Sequence, residues 1–210
     1  MIPATPQRAR SASAKQQRSR DILAAARRLA TTRPVRDITL TDVAAEVCLH
    51  KSAMLRYFET REQIFLSVAA EEWQQWCAEV VAQLADAPDP AALLAHSLAA
   101  RPLFCDLLAQ VPLNLERNVS FEVVWHYKTT VLAARRPLMA ELRRRLSLTE
   151  QQAADLIATA TSMAGALWQM AAPGTALRAF YESHPDLAHA VVDVEPRLTR
   201  ILTALVAGMR

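Results

Sequence analysis

Glycine is nearly absent from this 210-residue chain, which contains only Gly165, Gly174 and Gly208. No G-x-G-x-x-G or Walker A motif can be written without earlier glycines, so enzyme classes that need glycine-rich phosphate loops are disfavoured. Many alanines and few glycines favour helix, because alanine is the best helix former and glycine among the worst.

Cysteine and histidine are also scarce, and their spacing does not suit a metal site. Cys48, Cys77 and Cys105 are far apart, and no C-x-x-C or H-x-x-x-H pair occurs. We therefore expect no metal and no cofactor. The polar N-terminus has no apolar segment typical of a signal peptide, so a reduced, cytoplasmic protein is the simplest interpretation.

Residues 156–177 carry no charge, and this run is long enough to raise the question of a membrane span. Threonine, serine and glutamine side chains interrupt it, and Pro173-Gly174 ends it. The pattern therefore favours a buried helix, and we expect no membrane partner.

The charge is unevenly distributed, although its net value is only +3. Residues 1–61 contain twelve Lys and Arg against five Asp and Glu (+7), and the remainder contains twelve against sixteen (−4). A basic head on a mildly acidic body predicts that only the head meets a polyanion. A solvated basic face without a partner is the alternative that charge alone leaves open.

Helix signals divide the chain into three segments. Residues 1–17 have almost nothing to bury and predict a disordered basic arm. Residues 18–62 predict one helix that ends before Pro34, then two short helices around a break at Cys48-Leu49, which is a helix-turn-helix unit. Residues 63–210 predict a larger helical body.

Two capping patterns mark helix starts in and after this unit. Thr39 with Asp42 predicts the start of the first short helix, and Thr60 with Gln63 predicts the start of a long helix that reaches about Leu84.

Residues 22–66 read ILAAARRLATTRPVRDITLTDVAAEVCLHKSAMLRYFETREQIFL, which resembles the DNA-binding domain of the tetracycline-repressor (TetR) family. The most diagnostic part is Leu55-Arg56-Tyr57-Phe58 followed by Thr60-Arg61-Glu62. The resemblance implies an all-α fold with a three-helix DNA-binding head and a larger helical body for ligand binding and dimerisation. It implies a transcriptional regulator, a repressor that a small-molecule effector releases from double-stranded operator DNA, and not an enzyme.

Two residues depart from the family pattern. Cys48 stands where the family usually has the turn glycine, so either a non-glycine residue tolerates positive φ or the turn is built differently. Leu55 stands where the family often has a tyrosine that contacts DNA phosphate, so that contact is expected to be lost, whereas Tyr57 matches a second aromatic that often faces DNA.

The second short helix is expected to enter the major groove with its N-terminal half, so that its side chains reach base edges. Lys51 and Arg56 can donate to guanine, and Ser52 to several bases. Arg61, at a helix N-terminus, is expected to contact phosphate. The complete set of predicted DNA-binding residues is Thr39, Thr41, His50, Lys51, Ser52, Ala53, Arg56, Tyr57 and Arg61.

Aromatic and methionine side chains in the body suit a pocket for an apolar effector, although ordinary core packing is the better explanation for each of them taken individually. The predicted pocket residues are Phe104, Trp125, Tyr127, Met163 and Trp168.

A homodimer is expected through residues 150–172 and 195–208, where an apolar helix with Ala160, Ala164, Gly165 and Leu167 allows close helix packing. Two other classes of protein are the alternatives. An enzyme built on Ser120, Glu122 and His126 lacks any nucleophile elbow, and the basic head argues against a purely structural helical dimer.

Overall fold

The computed structural model describes residues 6–170 and 175–209, with side chains described from residue 13 onward. This part of the chain is helical and contains no strand, which confirms the predicted fold class. The α-helices are α1 Pro6–Ala30, α2 Leu40–Glu46, α3 Lys51–Met54, α4 Arg61–Leu84, α5 Pro90–Ala99, α6 Pro102–Leu113, α7 Phe121–Leu146, α8 Glu150–Met170, α9 Ala176–Glu182 and α10 Val194–Gly208. Short 3-10 helices lie at Val35–Asp37, Leu115–Asn118 and Pro185–Ala190.

Helix α1 begins at Pro6, about twelve residues before the predicted start, so the expectation of disorder over residues 1–17 was wrong for residues 6–17. Proline at a first helical position and the following alanine, glutamine, lysine and arginine residues all suit a helix, and residues 13–18 are helical although they are exposed. A lack of apolar residues in the sequence was therefore a poor guide to disorder. Residues 1–5 lie outside the described part of the chain.

Both predicted capping patterns are present. The Thr39 hydroxyl accepts the backbone N–H of Asp42 at 3.2 Å, and the Asp42 carboxylate accepts the backbone N–H of Thr39 at 2.7 Å. This last bond holds the pKa of Asp42 below its usual value. The Thr60 hydroxyl accepts the Gln63 N–H at 3.1 Å. Helices α2 and α4 therefore start where the sequence predicts.

Helix α4 joins the head to the body and packs against helices of both. It packs on α1 in the head and along α7 in the body. Trp73 and Trp76 on α4 meet Phe104 of α6 with ring centroids 5.4 Å and 5.9 Å away, respectively. Helix α8 packs on α6, and α10 packs on α5 and α8. The body is therefore a layered helix bundle built around the aromatic contact between α4 and α6.

The uncharged run is helical as far as Met170, and one face of α8 is buried in the body. No single described helix is long and apolar enough to cross a membrane. Helices α5 and α6 meet that requirement only as a pair, and they are bent by 88° relative to each other.

The small residues that were assigned to a dimer interface face inward instead. Ala160 and Ala164 are fully buried and Leu167 is 3% exposed within a single protomer. A Cβ added to Gly165 would lie 2.9 Å from the backbone nitrogen of Ala109. These residues therefore allow α8 to approach α6 of the same chain, and they are not available to a partner.

We predict that Gly165→Ala lowers the melting temperature. Alanine normally stabilises a helix relative to glycine by about 1 kcal/mol, but overpacking against α6 costs about 1–3 kcal/mol. Gly208→Ala is the matched control, because a Cβ there has nothing within 4 Å. Thermal unfolding followed by circular dichroism measures both, and equal or higher melting temperatures for both variants would contradict the close contact.

Candidate nucleic-acid interface

The turn between α2 and α3 is closed by backbone hydrogen bonds. Leu49 N–H donates to the Ala44 carbonyl at 2.9 Å and Cys48 N–H donates to the Ala45 carbonyl at 3.1 Å, which is the pairing of a Schellman motif. Cys48 has φ 53°, the left-handed conformation that the motif requires and that glycine adopts at least cost. The turn is therefore the glycine-type turn, formed with a cysteine.

An exposed set of polar side chains surrounds α3. Lys51 and Ser52 at its start and Arg56, two residues after its end, are exposed, and so is Thr41 early in α2. Among the described residues, neither Lys51 nor Arg56 has an ion pair or a hydrogen bond through its side chain. These two cations are therefore free to meet an external anion or a base edge.

His50 caps α3 through one ring nitrogen. Its Nδ1 accepts the Ser52 backbone N–H at 3.4 Å and lies 2.9 Å from the Ser52 hydroxyl. A nitrogen that accepts carries no proton, so in the neutral ring the proton is assigned to Nε2. The exposed His50 is then a hydrogen-bond donor at the surface of the head.

Arg61 has a different position from the one predicted for a phosphate ligand. Its guanidinium donates to the carbonyl oxygens of Val35 and Ile38 and pairs with Glu62 at 3.0 Å. It also lies over the ring of Phe65, 4.9 Å from the centroid. Three of its five N–H donors are used in these contacts within the head, so we expect a structural role for Arg61 in place of the predicted phosphate contact.

The remaining predicted DNA-binding residues divide into packing and surface positions. Thr39 uses its hydroxyl in the α2 cap. Tyr57 is half-buried and packs on the core, and Ala53 is partly buried. Leu55 is exposed, so an apolar side chain occupies the surface where a tyrosine was expected in the family pattern.

A buried carboxylate that was not predicted joins the head to the body. Asp106 of α6 accepts the backbone N–H of Val35 at 2.7 Å and the side-chain amide of Gln169 on α8 at 2.7 Å. Asp106 is 6% exposed, and Val35 is fully buried. The sequence signal that could have indicated this role is a single aspartate among the apolar residues of α6, because a charged side chain is rarely buried unless it has a partner.

Two further links cross the same junction. The Glu59 carboxylate accepts the backbone N–H of Ser120 at 2.7 Å, which ties the start of α4 to the start of α7. Arg27 of α1 pairs with Glu71 at 3.0 Å and with Glu72 at 3.3 Å, and Arg101 pairs with Glu72 at 3.2 Å. The head is therefore connected to α4, α6 and α7 by polar contacts as well as by packing.

Family models match nearly the whole chain. The model for bacterial regulatory proteins of the tetR family matches residues 22–68, and the model for the tetracyclin repressor-like C-terminal domain matches residues 70–210. The chain belongs to the TetR family. It is therefore a DNA-binding transcriptional regulator, and the helix-turn-helix described above is its DNA-binding head.

Solved structures show the same fold. The fatty acid degradation regulator FadR from Bacillus halodurans superposes with a TM-score of 0.53 at 13% identity, covering 90% of this chain and 98% of that one. FadR from Bacillus subtilis, in complex with stearoyl-CoA, superposes with a TM-score of 0.54 at 15% identity and the same coverage. No curated protein matches the sequence.

The five predicted effector-pocket residues of this TetR regulator do not line one cavity. Phe104 is fully buried in the aromatic core, whereas Trp125 is 72% exposed. Met163 and Trp168 are partly buried on α8. Tyr127 is the one that lines the cleft between α4 and α7, where His126, Ser120 and Glu122 also lie.

The cysteines fit no reactive site among the described residues. Cys48 is exposed, and Cys77 and Cys105 are buried, all three as free thiols. Burial raises the pKa of both buried thiols to about 12. They are therefore protonated and unreactive at neutral pH.

We predict that Asp106→Ala lowers the free energy of unfolding by about 2–3 kcal/mol, because the buried Val35 N–H loses its charged acceptor. Asp106→Asn is expected to lose less, since its amide oxygen accepts from Val35 and the Gln169 amide can rotate to offer its oxygen. Urea denaturation measures both variants. Wild-type stability in Asp106→Ala would show that this hydrogen bond contributes nothing.

Proposed function

We propose that this TetR regulator is a cytoplasmic repressor that binds a near-palindromic operator as a homodimer and that a small molecule releases. The observation that carries the proposal is the pair of exposed, unpaired cations, Lys51 and Arg56, at the second helix of the helix-turn-helix. If the fold used these two side chains for internal contacts, each would have an ion pair or a hydrogen bond, as Arg61 has with Glu62.

Recognition is proposed to divide between α3 and α1. Lys51, Arg56, Ser52 and the Nε2 donor of His50 are placed to read base edges in the major groove. Lys15, Arg18 and Arg20 are exposed on α1, and their side chains are proposed to contact phosphates of the DNA backbone. Arg61 no longer belongs to this set and instead fixes the loop before α2.

The homodimer is proposed to use the outer faces of α8 and α10. Ala158, Ser162 and Ala166 are exposed along one side of α8, and Ala204 and Ala207 are exposed on α10. Small side chains let the two copies approach closely, and a two-fold axis makes the same patch serve both. This arrangement replaces the inward-facing residues that the sequence suggested.

Release is proposed to follow from linkage between the two domains. A ligand that binds one orientation of the head more tightly than the other shifts the equilibrium by that difference in affinity. The hydrogen bonds that the Asp106 and Glu59 carboxylates accept hold the orientation described here. A ligand that changes either bond therefore changes the spacing of the two recognition helices in the dimer.

We predict that Lys51→Ala and Arg56→Ala each cost about 1–3 kcal/mol at particular base pairs and relax the preference there. Salt titrations on a duplex selected from a random pool and on its scrambled form measure this, because phosphate contacts add the salt dependence. Arg136 is exposed on α7, so Arg136→Ala removes one positive charge from the body and serves as the control. If the wild-type protein bound both duplexes equally, sequence-specific recognition would be wrong.

We predict that Ala166→Arg converts the dimer to monomers without unfolding them, because its large charged side chain enters the proposed interface. Ala133→Arg, at an exposed alanine on α7, is the matched control and is expected to remain dimeric. Sedimentation velocity at micromolar concentration gives the mass of each. A monomeric wild-type protein, or an Ala166→Arg dimer, would place the interface elsewhere.

A further inference from the structure

Helix α9 and the 3-10 helix Pro185–Ala190 form a segment, residues 175–191, that we call the arm. None of its residues is buried, and α9 is the only described α-helix without a buried side chain. The two helices of the arm pack on each other more than on any helix of the body. The arm therefore lies outside the core of the protomer.

The contacts inside the arm do not explain why it is ordered. The Thr175 hydroxyl accepts the Arg178 N–H at 3.2 Å, and the Arg178 guanidinium pairs with Glu182 at 2.7 Å and with Asp193 at 3.0 Å. Ion pairs with exposed carboxylates contribute little. A helix as short as α9 is not stable alone, because helices in proteins gain most of their stability from packing an amphipathic face. The arm therefore needs an apolar surface that its own protomer does not supply.

One side of α9 is apolar and aromatic. Leu177, Phe180, Tyr181 and His184 follow one another at spacings that place them on the same helix face. Leu177 and Phe180 are each 48% exposed. The ring centroid of Phe180 lies 4.4 Å from that of His184 and 5.9 Å from that of Tyr181. The arm thus presents a preformed surface that suits an apolar partner.

The outer side of α7 is a second apolar surface without a partner. Phe121 is 94% exposed, Trp125 72% and Leu132 61%. Because an aromatic residue buries about 150–250 Å² on packing, the two aromatic side chains leave roughly 300 Å² in solvent. Apolar patches of this size on a monomer often mark an interaction site. We call this surface the α7 face; at helical spacing it comprises Phe121, Trp125, Lys128, Leu132, Arg136, Met139 and Arg143.

The two surfaces carry opposite charges. The charged members of the α7 face are three cations, and the side chain of Arg136 has no ion pair or hydrogen bond with any described residue. The arm has Glu182 and Asp186 against Arg178, and Asp186 is exposed and unpaired among the described residues. Two copies of the α7 face placed together would bring cations against cations. The α7 face therefore suits the arm better than it suits itself.

We infer that in the homodimer the arm of each copy packs on the α7 face of the other. Leu177 and Phe180 of the arm contact Trp125 and its apolar neighbours, and Asp186 lies near the cations at the edge of that face. This inference rests on the homodimer proposed above and adds to it a contact outside the α8–α10 interface.

The order of the elements along the chain favours this contact. The arm lies between α8 and α10, the two helices whose outer faces are proposed to form the dimer. Within a protomer α8 also packs on α7. When the α8 helices of two copies face each other, the arm that comes after one α8 is therefore brought towards the α7 of the other copy. A two-fold axis forms the contact twice.

Sedimentation equilibrium of the full-length protein tests the inference through the dimer dissociation constant. Phe180→Ser and Trp125→Ser are each expected to raise it about tenfold, since truncating a central aromatic side chain in an interface has an effect of this order. The double variant is expected to raise it by much less than the product of the two, because both changes remove one contact. Leu55→Ser is the matched control, since Leu55 is an exposed apolar residue of the head, and it is expected to dimerise like the wild-type protein.

Disulfide formation then identifies the two surfaces that meet. Cys48→Ser removes the exposed thiol, and Phe180→Cys with Trp125→Cys is added to that variant. Mild oxidation is expected to give a covalent dimer on a non-reducing gel, whereas either new cysteine alone is expected to give none. A disulfide within one chain would show that the arm packs on its own α7, and a covalent dimer from Phe180→Cys alone would show that the arms meet each other. Either result would overturn the inference.

The outcomes separate the arm contact from the rest of the proposed function. Wild-type dissociation constants in both serine variants would overturn the arm contact and leave the α8–α10 dimer standing, with Ala166→Arg as its own test. A monomeric wild-type protein would refute the proposed homodimer and the arm contact with it. Neither measurement uses DNA, so a protein that bound no operator would refute the repressor function alone.

Discussion

The hydrogen bond from the Val35 backbone to the Asp106 carboxylate is the constraint on which the arrangement of head and body depends. Val35 lies in the short turn between α1 and α2, and its carbonyl is held at the same time by Arg61. One buried peptide segment is therefore fixed from the body through its N–H and from α4 through its C=O. A buried charge that lost such a partner would be costly, so the contact also selects one orientation of the head.

This constraint directs the Arg61 guanidinium into the head, so we expect Arg61 to act there and not as a phosphate ligand. An arginine at the start of a helix has the charge and the position for an anion, and the sequence alone supports that interpretation. The carbonyl groups of Val35 and Ile38 accept hydrogen bonds from the same guanidinium that a DNA phosphate would need. A buried carbonyl without a hydrogen bond is costly, so the internal contacts are favoured. We therefore propose that Lys51 and Arg56, whose side chains have no partner among the described residues, make the DNA contacts instead.

The local features of the fold were predictable from the sequence. Which neighbour each helix face packs against was not. The caps at Thr39 and Thr60 depend on residues three apart, so the sequence contains all the information they need. Gly165 and Ala164 show the limit, because a stripe of small residues predicts close helix packing without saying whether the neighbour is α6 or a second copy. The predicted pocket residues do not lie together for the same reason. Phe104 is buried and Trp125 is exposed, and long-range packing decides the difference.

Two of the polar links between the head and the body lie at separate places, and a third is formed by Arg27 of α1 with Glu71 and Glu72 of α4. Asp106 connects Val35 to α6 and, through Gln169, to α8, whereas Glu59 connects the start of α4 to α7. In the linkage proposed above, breaking the second link alone leaves the first intact, and the head then pivots about Val35. The two hydrogen bonds that Asp106 accepts, from Val35 and from Gln169, also connect the head to α8, on whose outer face the dimer is proposed. Under that proposal a change at the α4–α7 side rotates the head, and in a two-fold dimer such a rotation changes the separation of the recognition helices.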